Sequence, residues 1–272
     1  AGKLGEVTTT RATRTSEIDP KAPYYVIANT SASAVQAVNK AISQGKSVHL
    51  TDDGYIVDRD TFASLLPNYA IYGEALYKVP NGPTLKPLKI YSPNYHYNWT
   101  GVDAPAHTSL VLEKLGFQIV DTPEEADVIV LENNRYDASI FGKKPTLVIG
   151  GEAMQKLEKL GVLSGFDAEK LKGGSDYEGL MKAIIDDQDP LTSGYKKNAL
   201  FYSNSGNWIE KVPSNFKTLM SIASSDYYIA GWWPKNEVLA NKVMAISGEL
   251  LGQPLFVYAG NPTNTLSTSS AG

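Results

Sequence analysis

Short apolar runs alternate along the chain with segments whose apolar residues recur every three or four positions. Residues 24–28 are mostly β-branched or aromatic, which predicts a strand. Ser31 stands where a residue would cap a helix, and Gly45 stands where that helix would end. The apolar residues between them follow helical spacing, at Val35, Val38, Ala41 and Ile42. The pattern therefore predicts a strand followed by an amphipathic helix.

Two more apolar runs, at 47–50 and 54–57, predict strands, and Asp60 is placed to cap a short helix that ends at Leu66. With the first strand and helix, these segments predict a small N-terminal βαβ-like unit over residues 23–82. Residues 1–22 hold few large apolar side chains and three consecutive threonines, a composition typical of a linker or an extended arm.

A turn at Asn81-Gly82-Pro83 predicts the start of a second, larger domain over residues 83–262. Its strands are predicted at 88–91, 117–120, 127–131 and 146–149, and its helices at 107–115 and 152–160. The first of these helices is expected to turn Leu110, Val111, Leu112 and Leu115 inward. Strands that alternate with helices across short loops predict an α/β fold of the flavodoxin-like or amidotransferase-like type, with a parallel sheet flanked by helices.

The later part of the chain carries stronger β signals. Residues 176–186 are predicted to be helical, and the runs that follow predict strands at 199–202, 227–230, 242–246 and 254–258. This portion is therefore expected to be β-rich. The small polar residues at 263–272 predict a flexible tail.

Composition narrows the possible functions. The formal net charge is -4 with no basic stripe, so nucleic acid is not an expected partner. The sequence holds no cysteine, which excludes disulfides, thiol catalysis and thiolate metal sites. No apolar run is long enough to span a membrane. Many Tyr, Asn, Ser and Thr residues favour an exported bacterial protein.

Several short stretches resemble one known arrangement. They are residues 24–31, residues 89–91 with the Trp99 loop and the helix end at 115–117, residues 146–151 leading to 158–161, and residues 229–232 with 256–262. In this order they resemble the class I glutamine-amidotransferase-like region that ends certain secreted zinc carboxypeptidases of the metallocarboxypeptidase family. The resemblance covers residues 23–262. The family continues into another helix beyond the position of Pro262, so a fragment of a longer protein is expected.

The resemblance implies an extracellular or cell-surface protein whose partner is the catalytic domain of the same parent chain. It also implies that zinc belongs to that domain, so no cofactor and no metal are expected in this chain. Cell-wall glycan or peptide is a further possible partner. In this interpretation the chain is a non-catalytic accessory domain.

The residues themselves argue against both chemistries of such a parent. An amidotransferase needs a cysteine at the strand-to-helix elbow and a downstream histidine. Residues 149–153 contain neither cysteine nor serine, and all three histidines precede them. A carboxypeptidase zinc site needs a glutamate three positions after a histidine, whereas His49, His96 and His107 are followed there by Asp52, Trp99 and Leu110. No catalytic residue of either type is therefore predicted.

A ligand cleft remains possible where the parallel strands end, because ligands of open α/β sheets bind at the carboxyl ends of the strands. Three loops should meet there, and their candidate residues are His96, Asn98, Trp99, Asn133, Asn134, Arg135, Gly150, Gly151 and Glu152. Rings, amides, a guanidinium and a carboxylate suit a sugar or a polar peptide. The competing interpretation is that these are ordinary exposed loops.

Two alternatives to the accessory role stay open. The chain could be a carbohydrate-binding or cell-surface-binding module, or a hydrolase that uses Glu152 and His96 as acid and base across the cleft. The aspartates from Asp52 to Asp60 predict a solvated acidic turn rather than a calcium site. The aromatic pairs at 227–228 and 232–233 are expected to pack in the core or at its rim rather than form a stacking platform.

Overall fold

The computed structural model describes residues 17–97, 102–104, 106–171, 177–192, 194–203 and 206–260. The chain divides into two compact units, Ala1–Lys86 and Pro87–Gly272. The division falls after the predicted boundary at residue 82, because the next residues still pair with a strand of the first unit. Leu85 N–H donates to Val48 O over 2.8 Å, and Leu50 N–H donates to Pro83 O over 3.1 Å.

Over its described residues, 17–86, the first unit forms one antiparallel sheet and two helices. Its elements in chain order are β1 (Tyr24–Ile27), α1 (Ala32–Ser43), β2 (Val48–Thr51), β3 (Gly54–Asp58), α2 (Arg59–Leu65) and β4 (Gly73–Leu76). The strand order is β2-β3-β1-β4, and every neighbouring pair is antiparallel. Strands β1 and β2 therefore run in the same direction with β3 between them. This is the split β-α-β arrangement of ferredoxin-like folds.

Local capping explains where the two helices begin. The Ser31 hydroxyl accepts the Ala34 N–H over 3.1 Å, as the sequence predicts for α1. Helix α2 begins earlier than predicted because Asp58, not Asp60, is its cap; the Asp58 carboxylate accepts the Thr61 N–H over 2.8 Å. The buried Tyr25 and Phe62 rings stack between sheet and helix with centroids 4.3 Å apart.

The parallel half of the second unit confirms the predicted α/β fold. Its strands are β5 (Lys89–Tyr91), β8 (Gln118–Ile119), β9 (Val128–Leu131), β10 (Thr146–Ile149) and β18 (Gln253–Tyr258), and its helices are α3 (His107–Lys114) and α4 (Gly151–Leu160). The strand order β8-β5-β9-β10-β18 is the flavodoxin-like order, in which the chain reverses its direction of growth between β5 and β9.

Each face of this parallel half is covered by one helix. Leu131 and Val148 pack with Met154 and Leu157 of α4 on one face, while a smaller cluster with Leu112 of α3 forms on the other. Alternate residues of β9 serve the two faces, which is why its sequence is continuously apolar. Leu110, expected to face inward, is exposed, and Thr108 and Ser109 of α3 are buried instead.

An antiparallel half extends the same sheet from β18. It contains β11 (Asp167–Lys170), β12 (Glu178–Ile185), β13 (Asn198–Ser203), β14 (Asn207–Lys211), β15 (Lys217–Ile222), β16 (Tyr228–Trp232) and β17 (Val243–Leu250). The path runs β18-β17-β15-β12-β13; β16 pairs with β12, and β14 pairs with β11 and β17. The predicted β-rich C-terminal part is therefore present.

The predicted helix at 176–186 is wrong, because this segment forms strand β12. Its buried residues alternate strictly, at Gly179, Met181, Ala183 and Ile185. Only a strand places every second residue on one face. The outward residues Leu180 and Ile184 are also apolar and lie four positions apart, and this spacing imitates a helical stripe.

Candidate functional site

Three of the parallel strands end at the same edge of the sheet. Strand β9 lies between β5 and β10 and is parallel to both, with Tyr91 beside Ile129 and Val148 beside Leu131. The loops that leave these strands therefore begin side by side, at the reversal point where α/β sheets bind ligands. Seven of the nine residues predicted to line a cleft are described by the structure, and these seven lie in or next to the loops.

The first loop contains a β-hairpin rather than irregular chain. Strand β6 (Tyr95–Tyr97) pairs with β7 (Val102–Ala104) in a two-stranded sheet of its own, and His96 stands opposite Asp103. The predicted cleft residues Asn98 and Trp99 lie outside the described residues.

Asn133 fastens two loops together instead of facing a ligand. Its side chain is fully buried. The amide nitrogen donates to Pro93 O over 2.7 Å, and the amide oxygen accepts the Arg135 N–H over 2.9 Å. Because both ends of this amide are engaged by the backbone, Asn133 shapes the loop edge, while Asn134 and Arg135 beside it are exposed.

Glu152 joins the second loop to the third. Its carboxylate accepts the backbone N–H of Asn134. The pKa of Glu152 is raised, chiefly because the surrounding protein removes water from its carboxylate. The nearby Glu132 carboxylate raises this pKa further, whereas the Asn134 N–H and Lys170 lower it. The structure thus brings Asn134 and Glu152 together.

Glu132 is a site residue that the sequence analysis missed. It follows β9 directly and is almost fully buried. Its carboxylate accepts the Thr108 N–H over 3.0 Å and the Thr108 hydroxyl. Because Ala106 offers α3 no side-chain cap, this carboxylate caps the helix from another loop, where it also meets the positive end of the helix dipole. An acid directly after a buried strand was the available signal.

The elbow after β10 is closed by packing. Gly150 adopts a positive φ of 81° and donates its N–H to Tyr258 O over 2.9 Å. A Cβ added to Gly151 would lie 2.2 Å from Nδ2 of Asn207 and 2.3 Å from its Cγ. Asn207 itself is buried on β14. A side chain at position 151 would therefore have to displace Asn207, and one at position 150 would sit at a strained positive φ.

Other candidates from the sequence serve structural roles. His49 bonds through Nδ1 to Gly82 O over 3.2 Å and through Nε2 to the Ser47 hydroxyl over 3.3 Å, so Nδ1 carries the proton. Asp58 caps α2. Within the described ranges, no group of three or more His, Asp or Glu residues is placed to hold a metal ion. No helix among those residues is long and apolar enough to cross a membrane.

The aromatic pair at 232–233 splits between core and surface. Trp233 is 2% exposed and belongs to the main core, whereas Trp232 is 59% exposed. The sequence predicts packing in the core or at its rim: Trp233 lies in the core, and Trp232 lies at the rim, where its ring meets that of Tyr177 edge-on. The two side chains differ because neighbouring residues of an extended chain point to opposite sides.

The chain matches no protein-family model and no curated protein sequence. Solved structures with a similar fold include a protein described as part of a GMP synthase from Thermoplasma acidophilum, with 16% identity, 66% of this chain and 86% of that chain covered, and a TM-score of 0.42. A glutamine amidotransferase from Thermotoga maritima has 10% identity, coverages of 68% and 86%, and a TM-score of 0.38. A ThuA-like protein from Parabacteroides merdae has 11% identity, coverages of 64% and 79%, and a TM-score of 0.38.

All three of these structures have a TM-score below 0.5 against this chain. Their similarity is too low to say anything of activity, so the fold assignment rests on the strand order and the two helix-covered faces of the parallel half.

Proposed function

We propose that the chain is a non-catalytic accessory module of a larger secreted zinc carboxypeptidase-like hydrolase, working outside the cell beside the catalytic domain of the same parent chain. The observation that supports this proposal is the elbow after β10, where residues 149–153 include neither cysteine nor serine and Asn207 packs against Gly151. The association with a carboxypeptidase comes from the sequence resemblance.

Residue type and packing both count against covalent amide chemistry at the elbow. The nucleophile must stand at the elbow with a base in hydrogen-bond reach, and the sequence has no cysteine anywhere. A side chain at position 151 would also collide with the buried Asn207. A single substitution that placed a nucleophile at position 151 would therefore have to displace the buried Asn207.

Zinc peptidase chemistry would belong to the catalytic domain. Each of the three histidines lacks the glutamate three positions later that a carboxypeptidase zinc site needs. In this proposal the present chain positions or stabilises the catalytic domain. Hydrogen bonds of Asn133, Glu132 and Glu152 hold its strand-end loops in place.

Activity assays of the purified chain test the non-catalytic part. We expect no hydrolysis of glutamine or of carboxypeptidase peptides above the buffer rate, with or without added zinc. Glu152→Gln is the matched variant, because Glu152 is the acid with a raised pKa at the strand-end edge. Turnover by the wild type that Glu152→Gln abolishes would establish a hydrolase at the cleft and overturn the proposal.

The accessory part is tested at the gene. Sequencing of the genomic region that precedes the codon for Ala1 is expected to show a zinc-peptidase domain in the same reading frame. A different kind of domain there, or a start codon directly before Ala1, would remove the carboxypeptidase link and leave only the non-catalytic statement.

A further inference from the structure

The outer face of the antiparallel half carries aromatic rings around a carboxylate. Strand β12 turns Glu178 and Lys182 outward, and Trp232 of β16 is the register partner of Glu178. Register partners of an antiparallel pair lie on the same face of the sheet. The Trp232 ring therefore stands beside Glu178, exposed on that face.

The exposed position of Trp232 is fixed by its surroundings. Gly231 has a φ of 121°, and a Cβ there would lie 2.4 Å from Glu178 O, so only glycine allows this approach of β16 to β12. The Tyr177 ring meets Trp232 edge-on, with centroids 5.3 Å apart and planes at 75°, and also contacts the buried Trp233. The Trp232 ring is thus in contact with Tyr177 on one side, while more than half of its side chain is exposed to solvent.

A second ring lies on the other side of Glu178. Tyr202 of β13 is 44% exposed, and its hydroxyl donates to Oε2 of Glu178 over 2.8 Å. Because β13 and β16 flank β12 on opposite sides, the backbones that carry Tyr202 and Trp232 are about 10 Å apart or slightly more. We call Tyr177, Glu178, Tyr202 and Trp232 the aromatic platform.

The chemistry of the platform favours a sugar over a protein surface. A pyranose ring has an apolar C–H face that can lie on an aromatic ring and a rim of hydroxyls that can donate to a carboxylate. A protein covering the same area with apolar side chains would have to bury Glu178 with too few donors, which is costly. The spacing of the two rings suits separate sugar units of one extended glycan chain.

We propose that the aromatic platform binds an extended, uncharged β-linked glycan, with sugar rings stacked on Trp232 and Tyr202 and a sugar hydroxyl bonded to Glu178. The platform is distinct from the strand-end cleft and shares no residue with it. The inference rests on the proposed non-catalytic role, for which it supplies the class of polymer that the module would hold.

Binding of defined glycans tests the proposal. Cellohexaose and chitohexaose are titrated by calorimetry against the full chain, and insoluble cellulose and chitin are used for pull-down. We expect at least one of these probes to bind. Trp232→Ala and Tyr202→Ala should each weaken binding about tenfold or more, as expected for the loss of one stacked ring. Tyr202→Phe, which keeps the ring, should weaken it less than Tyr202→Ala.

Two control variants make the result specific. Tyr72→Ala removes an exposed aromatic ring of the first unit and should leave binding unchanged. Leu200→Ser removes an exposed aliphatic side chain near the platform and should also leave glycan binding unchanged. Circular dichroism and thermal melting establish that each variant is folded before its affinity is compared.

The proposal is overturned if none of the four probes binds, or if Trp232→Ala binds as tightly as the wild type. Loss of binding in Leu200→Ser with retention in Trp232→Ala would also overturn it, since the aliphatic surface would then be the contact. These failures differ from failure of the non-catalytic proposal, which appears as turnover in the activity assays whether or not a glycan binds.

Discussion

Adding one methyl group at the elbow should destabilise the second unit through a collision with one named side chain. In Gly151→Ala the new Cβ would lie within 2.2–2.4 Å of three atoms of the Asn207 amide. Overpacking of this kind costs about 1–3 kcal/mol, while replacing glycine by alanine in a helix returns up to about 1 kcal/mol. We expect a net loss of about 1–2 kcal/mol in the free energy of unfolding.

Urea unfolding followed by tryptophan fluorescence measures this loss in the right unit, because all four tryptophans lie beyond Lys86. Asn207→Ala removes the colliding atoms, so Gly151→Ala with Asn207→Ala should be more stable than the sum of the single changes predicts, by about 1 kcal/mol. Gly161→Ala is the control at the other end of α4. It adds a methyl to open space at a φ of 66°, so its cost should not depend on Asn207.

Additive effects of the two changes would refute the packing explanation of the closed elbow. So would a Gly151→Ala variant as stable as the wild type, because position 151 could then accept a side chain and the missing nucleophile would be a matter of sequence alone.

Three other substitutions test single contacts. Thr108→Val should destabilise the second unit by about 1–3 kcal/mol in urea unfolding, because it deprives the buried Glu132 carboxylate of a donor, and Thr108→Ser should restore most of the loss. Gly231→Ala should cost at least about 2 kcal/mol through its φ of 121° and its approach to Glu178 O, whereas Gly252→Ala, with open space around it, should cost less. Asp58→Ala should speed hydrogen exchange in α2 by removing a cap worth about 1 kcal/mol. Burial tends to raise the pKa of Asp58, but hydrogen bonds from Thr61 outweigh this effect and hold the pKa below its ordinary value of 3.8. The stability that the cap contributes is therefore complete above pH 3.8 and should vanish as the pH falls through the lower pKa of the folded state.

Features set by neighbouring residues could be predicted from the sequence. Strand β10 has the predicted bounds, and Ser31 caps α1 as predicted. Both depend on a few adjacent side chains: a continuous apolar run in one case and a hydroxyl before an amphipathic segment in the other. The parallel orientation of the central strands followed from the alternation of strands and helices, which leaves few topologies open.

Features set by distant segments could not be predicted. No local pattern indicates that β3 lies between β1 and β2, because strand order depends on which edges pair. The contact between Gly151 and Asn207 joins α4 to a strand that the sequence analysis did not identify. Strand β12 was mistaken for a helix because both of its faces carry apolar residues, the inner face for the core and the outer face beside the aromatic platform.

The segment between α4 and β18 explains why the elbow is closed and why the aromatic platform exists. In a simple α/β sheet a helix returns directly to the next parallel strand. Here α4 leads instead into β11–β17 before the chain returns as β18 beside β10. The same insertion brings Asn207 against Gly151 and carries Trp232 and Tyr202 on its outer face. A single change in connectivity therefore packs a side chain against the elbow and adds a new exposed surface to the second unit.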